Sequence, residues 1–288
     1  MSRRTRSMKK TQRTADIASY ILLTILSIIW LFPFVVVLLT SFRGDQDSDR
    51  TYLIPHEWSL INYQQLFDGT DQNIFDYPRW FMNTLVVAIF VTIISTFMVL
   101  SVSYTMSRMR FKMRRTFLNV ALILGMFPGF MSMVAVYLML DVIGLTGKLS
   151  ALVLCYSAGS GLGFYIAKGF FDTIPKAMDE AAWIDGATRW KVFTKITMPL
   201  SKPIIVYTVL TSFLGPWTDF IFVNTIMRQE KKNYTIALGL NYMIDREHMD
   251  AWYTRFCAGS VVVSIPLVIL FISMQKYYAE GLSGSVKG

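Results

Sequence analysis

Six long apolar stretches, charge-free except for Asp219, dominate the chain: Ile17 to Phe42, Trp80 to Ser107, Thr116 to Leu140, Leu149 to Ala167, Pro203 to Thr218 continuing past Asp219 to Met227, and Phe256 to Gln275. A helix needs about 20 such residues to cross a hydrocarbon layer about 30 Å thick while satisfying its own backbone. The pattern predicts an all-α membrane protein with six transmembrane helices at about 17–42, 80–107, 116–140, 149–168, 203–227 and 256–275. They form a single transmembrane domain, 17–277, flanked by tails 1–16 and 278–288, with a polar cytoplasmic segment over 172–202. Ile17 to Phe42 is too long for a signal-peptide core and ends in no small-residue cleavage pattern, so it reads as a retained span.

Charge sets the orientation. The amino-terminal tail carries Arg3, Arg4, Arg6, Lys9, Lys10 and Arg13, and the connector after span two carries Arg108, Arg110, Lys112, Arg114 and Arg115. The connector after span four adds Lys168, Lys176, Arg189, Lys191, Lys195 and Lys202. With Lys276 and Lys287 these make 19 of the 28 Lys and Arg, all on one side, while Asp45, Asp47, Asp49, Glu57, Asp68, Asp71 and Asp76 fall in the first loop of the other. The positive-inside rule therefore puts both termini in the cytoplasm. A basic face toward the anionic lipid bilayer accounts for the net charge of +9 and calls for no nucleic acid. Hydrophobic residues at 53% and a mean hydropathy of +0.43 agree with a membrane assignment.

Little in the spans is chemically reactive. Cys155 and Cys257 each lie in an apolar run, and His56 and His248 are far apart, so neither a disulfide scaffold nor a metal or haem site is expected. Span one contains Pro33 and span three carries Gly125, Pro128 and Gly129 in the pattern GMFPGF, a break that either shapes a pathway or serves as a packing kink. Ser157, Gly159, Ser160, Gly161 and Gly163 in span four read as close helix packing. No Lys-Ser or Lys-Thr pair follows them to make a phosphate loop. Asp219 is the ionisable group at membrane depth, suited either to lining a pathway or to a structural hydrogen bond beside a broken helix. Outside, Ser59 to Phe67 has the spacing of a short interfacial helix, and Tyr234, Tyr242, Met243, Trp252 and Tyr253 suit either sugar faces or interfacial anchoring.

The segment Phe170 to Pro203 is the most specific part of the chain: FFDTIPKAMDEAAWIDGATRWKVFTKITMPLSKP. Pro175 is placed to open a helix, with Asp179 and Glu180 near its positive end; Ala181, Ala182 and Ile184 continue an apolar surface, and Gly186 ends it. A second helix carries Trp190, Phe193 and Ile196 three apart on one face, until Pro199 and Pro203 redirect the chain. That face must be covered, by lipid headgroups or by a cytoplasmic partner with a matching groove.

At these residues the chain resembles the membrane subunits of binding-protein-dependent ABC importers. Their signature is Glu-Ala-Ala, three residues, Gly, then nine residues to an Ile-x-Leu-Pro ending; here it reads Glu180-Ala181-Ala182, Gly186 and Ile196-Thr197-Met198-Pro199, with Met198 for the usual Leu. Phe127 to Tyr137, Gly163 to Pro175, Gly215 to Phe222 and the terminal Gly281 to Gly288 extend the resemblance to the maltose/maltodextrin-type permease of the carbohydrate-uptake branch. It implies a type I ABC importer permease fold and a subunit with no catalysis of its own. Glu180, Ala181, Ala182, Asp185, Gly186 and Pro199 would couple it to the ATPase, and the tail at Ser283, Gly284 and Ser285 would reach the ATPase interface. Pro128, Gly129 and Asp219 would shape the pathway or support it. The implied partners are a second homologous permease subunit, two ATPase subunits that bind ATP and Mg, and an extracellular lipid-anchored or periplasmic sugar-binding protein. Maltodextrin is the first cargo implied, with galactan- or raffinose-type oligosaccharides as alternatives; an ion-coupled secondary transporter has only Asp219 in its favour, and a membrane enzyme has no clustered His, Asp or Cys.

Overall fold

The computed structural model describes residues 2–44, 52–69, 75–126, 129–159, 161–228 and 230–284. It divides into two compact units, one made of residues 1–70 and 244–262 and the other of 71–243 and 263–288. Among the described residues the regular elements are helices, apart from one isolated bridge between Arg43 and Trp58.

In the first unit, α1 runs unbroken from Ser2 to Ser41 through Pro33. Its apolar part, Ala15–Ser41, is 27 residues long, and apart from its last turn, where Thr40 and Ser41 are buried, it is largely exposed within the chain, so lipid or another subunit must cover it. The chain then turns tightly. Asn62 of α2 (Ile61–Phe67) donates to Ser41 O at 3.0 Å and Arg43 O at 2.7 Å, and Ser41 Oγ lies 2.7 Å from Tyr63 Oη. A short helix thus forms within the expected Ser59 to Phe67 stretch, starting two residues later, and its buried Asn62 satisfies the carbonyls released where α1 ends.

The second unit is built around α3 (Tyr77–Arg108), a 32-residue helix whose Asp76 caps the start by accepting from Arg79 N. Val87, Ala88, Val91 and Val99 of α3 are fully or nearly fully buried. It packs against α6 (Leu149–Ala158), α7 (Gly161–Thr173) and α11 (Lys202–Thr218). At its amino-terminal end Trp80 donates to Lys231 O at 2.8 Å and Asn83 donates to Lys232 O and Tyr234 O, while Thr84 Oγ1 accepts from Ile236 N of α13 (Ile236–Met243). Gly239 of α13 lies so close to Trp80 that a Cβ there would stand 2.0 Å from Cε3.

Three expected spans are bent or broken. α4 (Arg114–Gly125) and α5 (Gly129–Val142) are inclined by 100°, and α6 and α7 by 42°. Where a continuous fifth span over 203–227 was expected, α11 stops at Thr218 and α12 (Ile221–Met227) begins anew. α8 (Lys176–Ile184) and α9 (Arg189–Val192) precede a widened π turn at Phe193–Thr197 and α10 (Met198–Leu200). The final helix α14, Met249–Gly284, contributes to both units. The described residues contain three unbroken helices long and apolar enough to cross a membrane, or up to six crossings if α4 with α5, α6 with α7, and Arg189–Leu200 with α11, the last pair bent by 83°, each count as one.

Candidate functional site

α8 ends in a Schellman arrangement: Ala187 N donates to Ala182 O at 2.9 Å and Gly186 N to Trp183 O at 3.1 Å. This closure needs a left-handed residue, and Gly186 supplies it with φ +78°, a conformation that a Cβ would strain. Thr188 then caps α9 by accepting from Lys191 N. Pro175 stands one position earlier than expected, as the residue before the first helical one.

Two faces of α8 differ sharply. Asp179 and Ala182 are buried, whereas Glu180, Ala181, Asp185 and Gly186 are exposed. Ile184 is 86% exposed, and Trp190 on α9 is 65% exposed. Met178 and Trp183 extend this exposed apolar patch, which is larger in aromatic content than isolated surface apolar residues require. The expected shared face of Trp190 and Phe193 is formed, their rings packing with centroids 5.5 Å apart; Phe193 turns into a core with Val99, Leu100, Tyr104, Phe171 and Ile204 while Trp190 stays exposed, and the π turn from Phe193 alters the spacing to Ile196. Pro199 follows this turn, where it can donate nothing to the helical ladder.

The buried face of α8 meets α3 through residues that the sequence motif does not mark. Arg108 Nη2 donates to Ile174 O at 2.9 Å, and its Nε stands 3.0 Å from Asp179 Oδ2, both side chains being under 5% exposed. One residue earlier, Ser107 Oγ donates to Asp172 Oδ1 at 2.6 Å, and Lys168 pairs with Asp172 Oδ2 at 2.5 Å. Burial pushes the Asp179 carboxyl above the ordinary aspartate range; Arg108 pulls it back only partway, and Glu180 adds to the upward push. A cavity of about 530 Å³ adjoins the pair, bounded by Tyr104, Arg110, Phe111, Lys176, Trp183 and Arg189 among others.

Within the spans, a cleft of about 290 Å³ opens between α3, α6, α7 and α11. Ser95, Tyr156, Tyr207, Thr208, Thr211 and Ser212 bring hydroxyls to it, and among the described residues no formally charged side chain lines it. Thr208 and Thr211 donate to carbonyls of their own helix, which leaves oxygen lone pairs available as acceptors. Asp219 stands behind this wall: its Oδ2 accepts from Tyr156 Oη at 3.0 Å and its Oδ1 from Phe222 N at 3.0 Å, at the start of α12. Gly129 opens α5 with open space around it, and Pro128 and Ser285 lie outside the described residues. Ser283 and Gly284 belong to the last turn of α14. No cluster of three or more His, Cys, Asp or Glu that could hold a metal occurs among the described residues.

A multi-span helical bundle with an uncharged polar cleft among its described residues is the architecture of a membrane permease. The chain belongs to the family of binding-protein-dependent transport system inner membrane components, which it matches over residues 99–283. It is 34% identical to the galactooligosaccharides transport system permease protein GanQ of Bacillus subtilis, over 94% of this chain and 95% of that one. The maltodextrin transport system permease protein MdxG of the same organism is 32% identical, with 94% and 96% covered, and the inner membrane ABC transporter permease protein YcjP of Escherichia coli is 30% identical, with 98% and 100% covered. The fold matches a chain in the crystal structure of a bacterial ABC transporter that imports alginate, with a TM-score of 0.77 at 20% identity over 93% of this chain and 98% of that one. A serpentine chemoreceptor family, Sri, also matches residues 1–122, a stretch of long apolar helices that excludes α8. The chain is therefore a multi-pass inner-membrane permease subunit for sugars, close to the maltose/maltodextrin-type branch; ATP hydrolysis resides in a separate chain.

Proposed function

We propose that this chain is one of two homologous permease subunits of an importer for neutral oligosaccharides, with maltose and maltodextrins as its cargo. The supporting observation is the uncharged, hydroxyl-bearing cleft between α3, α6, α7 and α11, which offers hydrogen bonds to a polyhydroxyl chain and nothing to neutralise an acidic one. Sugar arrives from a lipid-anchored or periplasmic binding protein. Segment 172–202 docks on one of two ATPase subunits, which bind ATP and Mg; the exposed patch at Met178, Trp183, Ile184 and Trp190 is the apolar part of that contact, and Glu180 meets basic or backbone donors beside it. Ser283, Gly284 and Ser285 carry the carboxyl terminus toward the ATPase interface. The identity of 34% with a galactooligosaccharide permease makes galactooligosaccharides the second reading. Reconstitution of the complete importer in proteoliposomes separates them: maltodextrins stimulate ATP hydrolysis and accumulate, and stimulation by galacto-oligosaccharides alone overturns the maltodextrin assignment.

A further inference from the structure

We propose that Arg108 is a positioning residue that transmits displacement of α8 to α3, through a contact with Asp179 that is completed when α8 moves. The proposal rests on the reading of α8 as the ATPase docking helix. It begins with where Arg108 sits. α3 is an unbroken helix of 32 residues, about 48 Å at 1.5 Å per residue, and Val91, Ser95 and Val99 along it line the cleft. Arg108 is in its last turn. A displacement applied there acts on the end of the element that forms a pathway wall.

The grip of Arg108 on its two neighbours is unequal. Toward Ile174, just before α8, it makes a full hydrogen bond at 2.9 Å. Toward α8 it makes a charge contact at 3.0 Å in which Arg108 Nε, Arg108 Nη1 and Asp179 Oδ1 all lack a hydrogen-bond partner. Buried charges without hydrogen bonds are costly, and a guanidinium and a carboxylate gain most as a two-pronged pair. The observed geometry is therefore the weaker of two arrangements open to these side chains. A small rotation of α8 about Ile174–Pro175 would bring Asp179 onto the guanidinium fork. The adjoining cavity of about 530 Å³ leaves room for that movement. The other charged or titratable groups around it are Tyr104 on α3, Arg110 after it, Lys176 and Glu180 on α8, and Arg189 on α9; none of these forms a hydrogen bond with either unsatisfied partner. Docking that rotates α8 thus gains the completed pair, and the two helices thereafter move as one, which is the differential contact a two-state coupling requires.

The test uses the complete importer in proteoliposomes with its binding protein and sugar, measuring assembly, ATP hydrolysis and uptake together. Asp179→Asn is expected to assemble and hydrolyse ATP while uptake per ATP falls about tenfold, within the span of ordinary coupling energies. Arg108→Lys keeps the charge and loses the planar fork; it is expected to uncouple in the same direction and serves if the neutral variant fails to assemble. Wild-type uptake per ATP in either assembled variant overturns the proposal. Failure of the docking reading is visible separately, because Ile184→Asp would then leave ATPase binding intact, whereas failure of the latch alone leaves binding sensitive to Ile184 and coupling insensitive to Asp179.

Discussion

Asp179 and Arg108 show how one buried contact divides stability from function. Because burial raises the Asp179 carboxyl above its ordinary 3.8, the folded chain holds that proton to a higher pH than the unfolded chain does. Between the raised value and 3.8 the folded state binds more protons, so the contribution of this group to stability grows as pH falls and is lost as pH rises. Asp179→Asn removes the charged form, and Arg108 keeps Ile174 O as its acceptor. The variant is expected to melt no lower than wild type at neutral pH, with the difference narrowing on acidification in detergent melts. Arg108→Ala does the opposite: it leaves a buried carboxylate without its cation, a loss of about 3–5 kcal/mol at neutral pH that shrinks in acid. A pH-independent difference between the two variants would contradict this account.

Two glycines make separate demands at the same scale. Gly186 has open space for a Cβ but a left-handed backbone, so Gly186→Ala is expected to cost about 1–2 kcal/mol, read as faster hydrogen exchange confined to α8. Gly239 has no room: a Cβ would meet the buried Trp80 ring at 2.0 Å. Gly239→Ala therefore overpacks the amino-terminal end of α3 and costs about 1–3 kcal/mol or more, read as a lower global melting temperature. Equal local effects from the two substitutions would show that backbone conformation and packing had been misassigned.

At the scale of elements, α8 was legible because its determinants are local. An acidic first turn, a run of alanines and a terminating glycine lie within a dozen residues, and the observed α8, Lys176–Ile184 with Gly186 closing it, follows from them. The role of Arg108 was not legible. In the sequence it is one of five basic residues after span two, indistinguishable from cations placed by membrane orientation alone; only the fold brings it to Asp179, 71 residues away. The face of Trp190, Phe193 and Ile196 was legible only in part: Trp190 and Phe193 do pack together, but regular helical spacing to Ile196 does not survive the π turn at Phe193–Thr197. What results is a division of labour, with Phe193 inside and Trp190 outside. Ile184→Asp and Trp190→Asp are each expected to weaken ATPase binding at least about tenfold, as centrally placed interface residues do, in pull-downs of detergent-solubilised complex, while Lys195→Asp on the same segment changes it little.

For the whole molecule, apolar run length foretold where the long apolar helices lie but not their continuity. The break at Asp219 is where the carboxylate joins Tyr156 and the start of α12, and the 100° between α4 and α5 falls at the GMFPGF stretch. The cleft was illegible in advance because its hydroxyls come from α3, α6 and α11 and mean nothing until those helices pack. Its neutrality yields a prediction for the intact importer: Ser95→Asp, which places a charge among these hydroxyls, is expected to abolish uptake of neutral sugar without preventing assembly, and undiminished transport would place the pathway elsewhere.

The central claim is that residues 172–202 face the cytoplasm and seat the ATPase. Cys155 and Cys257 are the chain's only cysteines, so a cysteine-free background can carry single reporters at Ile184, 86% exposed on α8, and at Trp58, 60% exposed in the opposite loop. Cross-linking in whole membranes should join the Ile184 reporter to the ATPase subunit and leave the Trp58 reporter unlinked to it but open to impermeant thiol reagents from outside. An ATPase cross-link at Trp58, or outside labelling of the Ile184 reporter, would contradict the account.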